Sequence, residues 1–131
     1  MKTVNGKVIL VTGSGRGFGR AMAYAYAVAG AKVVSVSRTV SELESLEKSI
    51  KEKGGEVLTV PTDLTDDNAI NALKDKVLDE FGCLDVLVNN AATSPWKRFD
   101  EMTARDWDLT IDVTLRAPFI LIHSWFSSGS D

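Results

Sequence analysis

Four glycines at alternating positions, 13, 15, 17 and 19, separate an apolar, β-branched segment from an alanine-rich one. Residues 7–12 (KVILVT) have the pattern of a short buried strand, and the alanine-rich segment predicts a helix that stops at Gly30. Glycines allow a sharp turn and close approach of the backbone to a ligand, and a helix N-terminus offers free N–H groups and partial positive charge. The turn is therefore a candidate diphosphate site, the alternative being a purely structural turn with glycines for tight packing.

The alternation of strand and helix continues along the chain. Hydrophobic patterning predicts strands at 32–37, 56–60 and 84–88, and helices at 41–53, 66–81 and from 103 onward. Ser41-x-x-Glu44 and Thr103-x-x-Asp106 have the form of capping boxes, and Pro118 predicts an interruption of the last helix.

An order of β-α-β-α-β-α-β-α indicates parallel strands joined by right-handed crossovers. The predicted fold is α/β, a Rossmann-like doubly wound parallel sheet of about four strands in the order 3-2-1-4. Helices are expected on both of its faces. Residues 1–131 are predicted to form a single dinucleotide-binding domain, with 127–131 as a frayed tail.

Composition excludes several classes of protein. Hydrophobic residues make up 44% and charged residues 25%, and no apolar run approaches the ~18 residues of a membrane helix. A single cysteine, Cys83, forms neither an intrachain disulfide nor a cysteine metal cluster. The net charge of −3 argues against nucleic-acid binding, although residues 1–41 hold six basic and no acidic side chains. We expect a cytoplasmic, metal-free protein whose basic first third either faces a phosphate-bearing ligand or is a solvated surface.

The end of the second strand bears on the choice of cofactor. An NAD site has an acidic residue there to hold the ribose 2′-hydroxyl. This chain has Ser37 and Arg38 instead, and its first acidic residue is Glu42. A planar guanidinium suits a phosphate, so Arg16 and Arg38 together predict NADP(H) in preference to NAD(H), unless Arg38 is merely a solvated residue.

Four segments resemble motifs of the short-chain dehydrogenases/reductases. Residues 12–19 (TGSGRGFG) are similar to that family's T-G-x-x-x-G-x-G turn. Asp63-Leu64 follows the third strand, residues 88–92 (VNNAA) resemble an N-N-A-G strand ending, and residues 107–115 (WDLTIDVTL) resemble a W-x-x-x-x-x-V-N-L helix. The resemblance covers nearly the whole chain in the family's order and spacing.

The resemblance implies a set of cofactor-binding positions. The glycine turn would contact the diphosphate and ribose, Arg38 the 2′-phosphate, and Asp63 and Leu64 the adenine. Asn90 and Ala91 would lie near the adenosine ribose and Val113 near the cofactor, whereas Asn89 would brace the sheet. The full set is Gly13, Ser14, Arg16, Gly17, Phe18, Gly19, Ser37, Arg38, Asp63, Leu64, Asn90, Ala91 and Val113.

Departures from the family pattern concern catalysis. The family exchanges a proton through the tyrosine of a Y-x-x-x-K motif, with the lysine lowering the tyrosine pKa. The tyrosines here are Tyr24 and Tyr26, neither followed by lysine four residues on, and Thr114 stands at the family's asparagine position. The resemblance therefore implies the NADP(H)-binding part of a carbonyl- or alcohol-converting oxidoreductase, with this chain inactive by itself and no catalytic residue assigned. Ala92 occupies a family glycine position.

The chain is also short for the family, and is expected to be a truncated form of it. The strand at 84–88 would then be an unpaired apolar edge. This predicts a homo-oligomer formed through that edge and the last helix. The alternatives are a non-catalytic dinucleotide-binding or interaction module, and catalysis completed by a tyrosine and lysine from another polypeptide.

Overall fold

Residues 3–127, the part of the chain that the computed structural model describes, hold four strands and five α-helices, which alternate as far as the fourth strand and its following helix. The strands are β1 (Val8–Thr12), β2 (Lys32–Ser37), β3 (Glu56–Pro61) and β4 (Val86–Val88). The helices are α1 (Gly17–Val28), α2 (Val40–Glu52), α3 (Asp67–Phe81), α4 (Ala104–Ile111) and α5 (Ala117–Ser127). Apart from Ser127, which ends α5, the predicted tail lies outside the described residues.

The strands form one parallel sheet in the order β3-β2-β1-β4, which confirms the predicted order. β4 is shorter than predicted and begins at Val86. Just before it, the Asp85 carboxylate accepts the N–H of Val8 at 2.8 Å, while the Asp85 N–H donates to the Val8 carbonyl at 3.0 Å. A side chain thus takes the place of a ladder carbonyl at this end of the strand pair.

Apolar side chains of the central strands alternate between two cores. Leu10 and Val34 face the side covered by α3 and α5, whereas Ile9 and Val33 face the side covered by α1 and α2. Successive side chains of a strand point to opposite faces, so a strand that is apolar throughout must be buried on both. Helices on both faces, as predicted, make the sheet doubly wound.

One of the two predicted capping boxes is confirmed, and a cap that was not predicted opens α3. Asp66 caps α3 by accepting the N–H groups of Asn68 and Ala69, and Thr103 forms the predicted capping box with Asp106. The box predicted at Ser41 is wrong, because α2 begins at Val40 with Thr39 as its N-cap. There the chain enters the helix earlier than predicted, and the Ser37 hydroxyl oxygen accepts the Thr39 N–H at 3.2 Å.

The last helical segment is interrupted as Pro118 predicts. A π-helical turn at Asp112–Arg116 separates α4 from α5, and the Ala117 N–H donates to the Asp112 carbonyl five residues back. Proline has no N–H and its ring crowds the carbonyl four residues earlier, so the wider turn accommodates it. Among residues 3–127, none of the helices has the length and apolar character that crossing a bilayer demands.

Candidate dinucleotide-binding site

A cleft of about 450 Å³ opens at the carboxyl ends of the strands. Parallel sheets place ligand sites at this edge, where connections leave neighbouring strands in opposite directions. The switch lies beside β1 here, because the chain passes from β1 to β2 and β3 on one side of it and then returns to β4 on its other side. Segments that follow all four strands line the cleft: Gly13, Gly15, Arg16, Gly17, Ser37, Arg38, Thr39, Glu42, Thr62, Asp63, Leu64, Asn90, Ala91, Ala92 and Thr93, joined by Val36, Leu109 and Val113.

The glycine turn is packed tightly between the ends of β2 and β4. Gly13 has a φ of +63°, and a Cβ added there would lie 2.9 Å from the Cα of Ala91. A Cβ on Gly15 would lie 2.6 Å from the Ser37 hydroxyl oxygen. Larger residues therefore do not fit at either position without displacing a neighbour. The turn presents bare backbone to the cleft, ahead of the N-terminus of α1, as a diphosphate requires.

Ser14 lies beneath the turn and not in the cleft. It is fully buried, its hydroxyl donates to the Val11 carbonyl at 2.8 Å, and its hydroxyl oxygen accepts the N–H of Val36 at 3.0 Å. The Ser35 hydroxyl is a third partner at 2.6 Å. The structure thus gives this side chain a part in fixing the turn to β1 and β2, in place of the ligand contact that the family resemblance implied.

Thr12 joins the end of β1 to the segment after β4. Its buried hydroxyl oxygen accepts the N–H of Asn90 at 3.1 Å and that of Ala91 at 3.0 Å. The Asn90 side-chain amide donates back to the carbonyls of Thr12 and Gly13 at 3.1 and 3.2 Å. Asn89 was expected to brace the sheet. In the structure Asn90 makes these bracing contacts, and Asn89 is exposed.

Two further residues of the turn region, besides Ser14, lie outside the cleft lining. Gly19 is buried in α1, where a Cβ would overlap the Asn90 side-chain amide and the Gly13 carbonyl. Because Gly19 has no side chain, α1 and the strand can pack closely, which is the usual role of the last glycine in such turns. Phe18 is 80% exposed and is not among the residues that line the described cleft.

Charged side chains gather where β2 and β3 end. Arg16, Arg38 and Asp63 are all exposed and all line the cleft. The N–H and hydroxyl of Thr65, at 2.9 and 2.7 Å, hold the pKa of the Asp63 carboxyl below its ordinary value, and the Arg38 charge lowers it further. Leu64, at 8% exposure, belongs to the core under α3 and also borders the cleft.

Glu42 also lines this corner of the cleft, which the sequence analysis missed. In the sequence it stands out only as the first acidic residue of the chain. Its place in the first turn of α2 is the signal that could have identified it, since that turn follows β2 at the carboxyl edge of the sheet.

The π-helical turn closes the cleft on the β4 side. Val113 and Leu109 line it, and the exposed Thr114 hydroxyl accepts the Thr93 N–H at 3.3 Å and lies 3.4 Å from the Thr93 carbonyl. Thr114 thereby ties the segment after β4 to the turn. Tyr24 and Tyr26 lie on α1, packed against the core beside α2, and neither borders the described cleft.

Comparisons with known proteins agree with this geometry. The sequence profile of the family described as short chain dehydrogenase matches residues 7–128. A fluoren-9-ol dehydrogenase of Terrabacter sp. is 38% identical over 120 residues, which is 86% of this chain and 33% of that protein. An uncharacterized oxidoreductase of Thermotoga maritima is 37% identical over 117 residues, 89% of this chain and 46% of that protein.

Solved structures are similar over almost the whole chain. A metagenomic short-chain oxidoreductase in complex with NADP superimposes with a TM-score of 0.89 at 36% identity, over 97% of this chain and 58% of that one. L-sorbose reductase from Gluconobacter frateurii, complexed with NADPH and L-sorbose, gives 0.89 at 33% identity, over 95% and 48%. The chain thus spans between a third and three-fifths of these relatives.

Proposed function

This chain belongs to the short chain dehydrogenase family, and on that premise we propose that it binds NADP(H) as the cofactor-binding part of an oxidoreductase. The observation that carries the proposal is the glycine turn, which borders the cleft and in which Gly13 and Gly15 stand so close to Ala91 and Ser37 that a Cβ at either position would displace a neighbour. Two of the similar structures hold NADP or NADPH, according to their descriptions.

The residues of the cleft fit the parts of a dinucleotide. Gly13, Gly15 and Gly17 would offer backbone to the diphosphate at the N-terminus of α1. Arg16 and Arg38 would contact the 2′-phosphate of NADP(H), because exposed guanidinium groups bind phosphate through paired N–H groups. Asp63 and Leu64 would border the adenine.

A bound nicotinamide cofactor supplies or accepts a hydride, and the protein must provide a proton donor beside the substrate. Tyr24 and Tyr26 pack on α1, and neither has a lysine four residues later. We therefore propose that these 131 residues hold the cofactor and do not catalyse by themselves. Carbonyl reduction assayed with NADPH and a panel of aldehydes and ketones tests this, and turnover above that of a Gly13→Ala variant would contradict it.

Titration calorimetry with NADPH, NADH and 2′-phospho-ADP-ribose tests the binding proposal. We expect the 2′-phosphorylated ligands to bind more tightly than NADH, and Arg38→Gln to reduce that preference by about tenfold, the usual size of a charge-assisted phosphate contact. Arg105→Gln is the matched control, because Arg105 is exposed on α4 and outside the cleft lining. Absence of binding by any of the three ligands at millimolar concentration would overturn the proposal.

An interaction module is the second candidate function, favoured by the free edge of β4. Val86 on this edge is 41% exposed, and a groove of about 310 Å³ runs between it and α5, lined by Ile122, Trp125 and Phe126. Two copies related by a two-fold axis would pair their β4 edges and cover the grooves. Light scattering at high concentration should then give a dimer, lost in Val86→Lys; a monomer throughout would contradict this candidate.

A further inference from the structure

An acidic side chain stands at the corner of the cleft that holds Arg38. Glu42 lies in the first turn of α2, three residues after the N-cap Thr39. It borders the same cleft as Ser37 and Arg38, and its Cβ would lie 3.2 Å from a Cβ built on Gly15. The stem of Glu42 is therefore packed against the glycine turn, on the side where β2 ends.

The backbone at Glu42 is fixed by a contact from α1. One terminal nitrogen of Arg20 donates to the Glu42 carbonyl at 3.3 Å, and the other donates to the Ser45 hydroxyl at 3.3 Å. Arg20 thus acts on the main chain and on Ser45. Among the described residues, the ion pairs within 4.0 Å do not include the Glu42 carboxylate.

Two acidic side chains line the same cleft as Arg38. Asp63, after β3, interacts electrostatically with Arg38, and Glu42 borders the same corner from α2. A carboxylate near a phosphate site opposes the attraction that a guanidinium provides, since like charges at a partly solvated site repel by amounts comparable to one such attraction. The arginine and the two acids together set the local potential.

We propose that Glu42 is a specificity-determining residue that weakens binding of the 2′-phosphate, so that the preference for NADP(H) over NAD(H) set by Arg38 is only partial. The inference rests on the proposed function and adds a residue to it. It also separates two roles for Glu42. An acid in the first turn of any helix stabilises that helix through its interaction with the helix dipole. Only an acid close to the bound 2′-phosphate also changes the ratio of the dissociation constants for NADPH and NADH.

The test compares NADPH and NADH binding to the wild type, Glu42→Gln and Glu44→Gln by calorimetry at low salt. Glu44 is the matched control, because it is exposed on the same helix and lies outside the cleft lining. We expect Glu42→Gln to tighten NADPH binding about three- to tenfold and to leave NADH within about twofold, a difference that shrinks as salt rises. Glu44→Gln should change neither. Circular dichroism melting verifies that each variant is folded.

The outcomes distinguish the inference from the function it extends. If NADPH binds the wild type but Glu42→Gln leaves the NADPH-to-NADH ratio unchanged, the inference is wrong and the proposed function stands. An equal change for both ligands, or the same change in Glu44→Gln, also overturns it, because the effect would then be general. If neither dinucleotide binds the wild type, the proposed function fails and the inference fails with it. If Glu42→Gln does not fold, Glu42→Asp and Glu42→Ala are compared instead, because Glu42→Asp keeps the charge on a shorter stem and Glu42→Ala removes it. Equal NADPH affinities of these two variants would overturn the inference.

Discussion

Replacing Thr12 by valine removes one hydroxyl and nearly nothing else. The side chain is 2% exposed, and valine has almost the same shape, so no cavity forms. The hydroxyl oxygen accepts the N–H groups of Asn90 and Ala91 at 3.1 and 3.0 Å. In Thr12→Val both of these backbone donors lose that acceptor at the end of β1.

The two losses differ in size. The Asn90 N–H also donates to the Val88 carbonyl at 3.0 Å and keeps a partner. The Ala91 N–H loses the acceptor that it has in this structure, but Ala91 is only half-buried and lines the cleft, so its loss lies toward the lower end of the ~1–3 kcal/mol of an unpaired buried donor. We expect Thr12→Val to lower the free energy of unfolding by about 1–2 kcal/mol, an appreciable part of the ~5–15 kcal/mol typical of a domain.

Urea denaturation measures the free energy, and hydrogen exchange of the Ala91 amide reports the local bond. Thr12→Ser is the control: it retains the hydroxyl and loses one buried methyl group, which costs about 1 kcal/mol. We expect Ala91 to stay protected in Thr12→Ser and to exchange faster in Thr12→Val. A Thr12→Val variant as stable as wild type, with unchanged exchange at Ala91, would refute the reasoning.

Three further predictions concern single side chains. Ser14→Ala should lower the free energy of unfolding by about 1–3 kcal/mol, because the N–H of Val36 loses its buried acceptor; an unchanged urea midpoint would contradict this. Thr103→Ala should cost about 1 kcal/mol by opening the capping box of α4, and Thr103→Ser should restore the loss in the same assay. Thr65→Val should raise the Asp63 pKa toward its ordinary value, as followed by carboxyl NMR. Since the folded-state pKa is depressed, that stabilisation exists above the unfolded-state pKa and is lost as pH falls through the folded-state pKa, so Thr65→Val and wild type should converge in stability in acid.

Local patterns predicted the architecture because each acts within a few residues. The β-branched runs of β1 and β2 and the apolar spacing of α3 lead to the same elements in the structure. Pro118 predicted the interruption before α5 because a missing N–H acts on its own helix turn. The Ser41 capping box failed for the opposite reason, since the entry of α2 depends on how the chain leaves β2.

The sequence alone did not predict which residues far apart in the chain form hydrogen bonds with each other. Thr12 and Asn90 are 78 positions apart, and the choice of Asn90 over Asn89 depends on which side chain turns toward β1 at the end of β4. Ser14 was expected at the ligand as part of the glycine turn, but the turn directs its hydroxyl into the sheet. Local sequence spacing does not determine how a turn side chain is oriented or which residue of a neighbouring strand it contacts.

The sequence by itself determined the order of elements, the parallel doubly wound sheet and the glycine turn at the carboxyl end of β1. These follow from periodicity and from the steric freedom of glycine, which act locally. Only the tertiary structure decided which charges meet at that turn. Packing of α2 against α1 brings Glu42 into the lining of the cleft that Arg38 also lines, because the position of a helix relative to a strand end is set by the core that the two share.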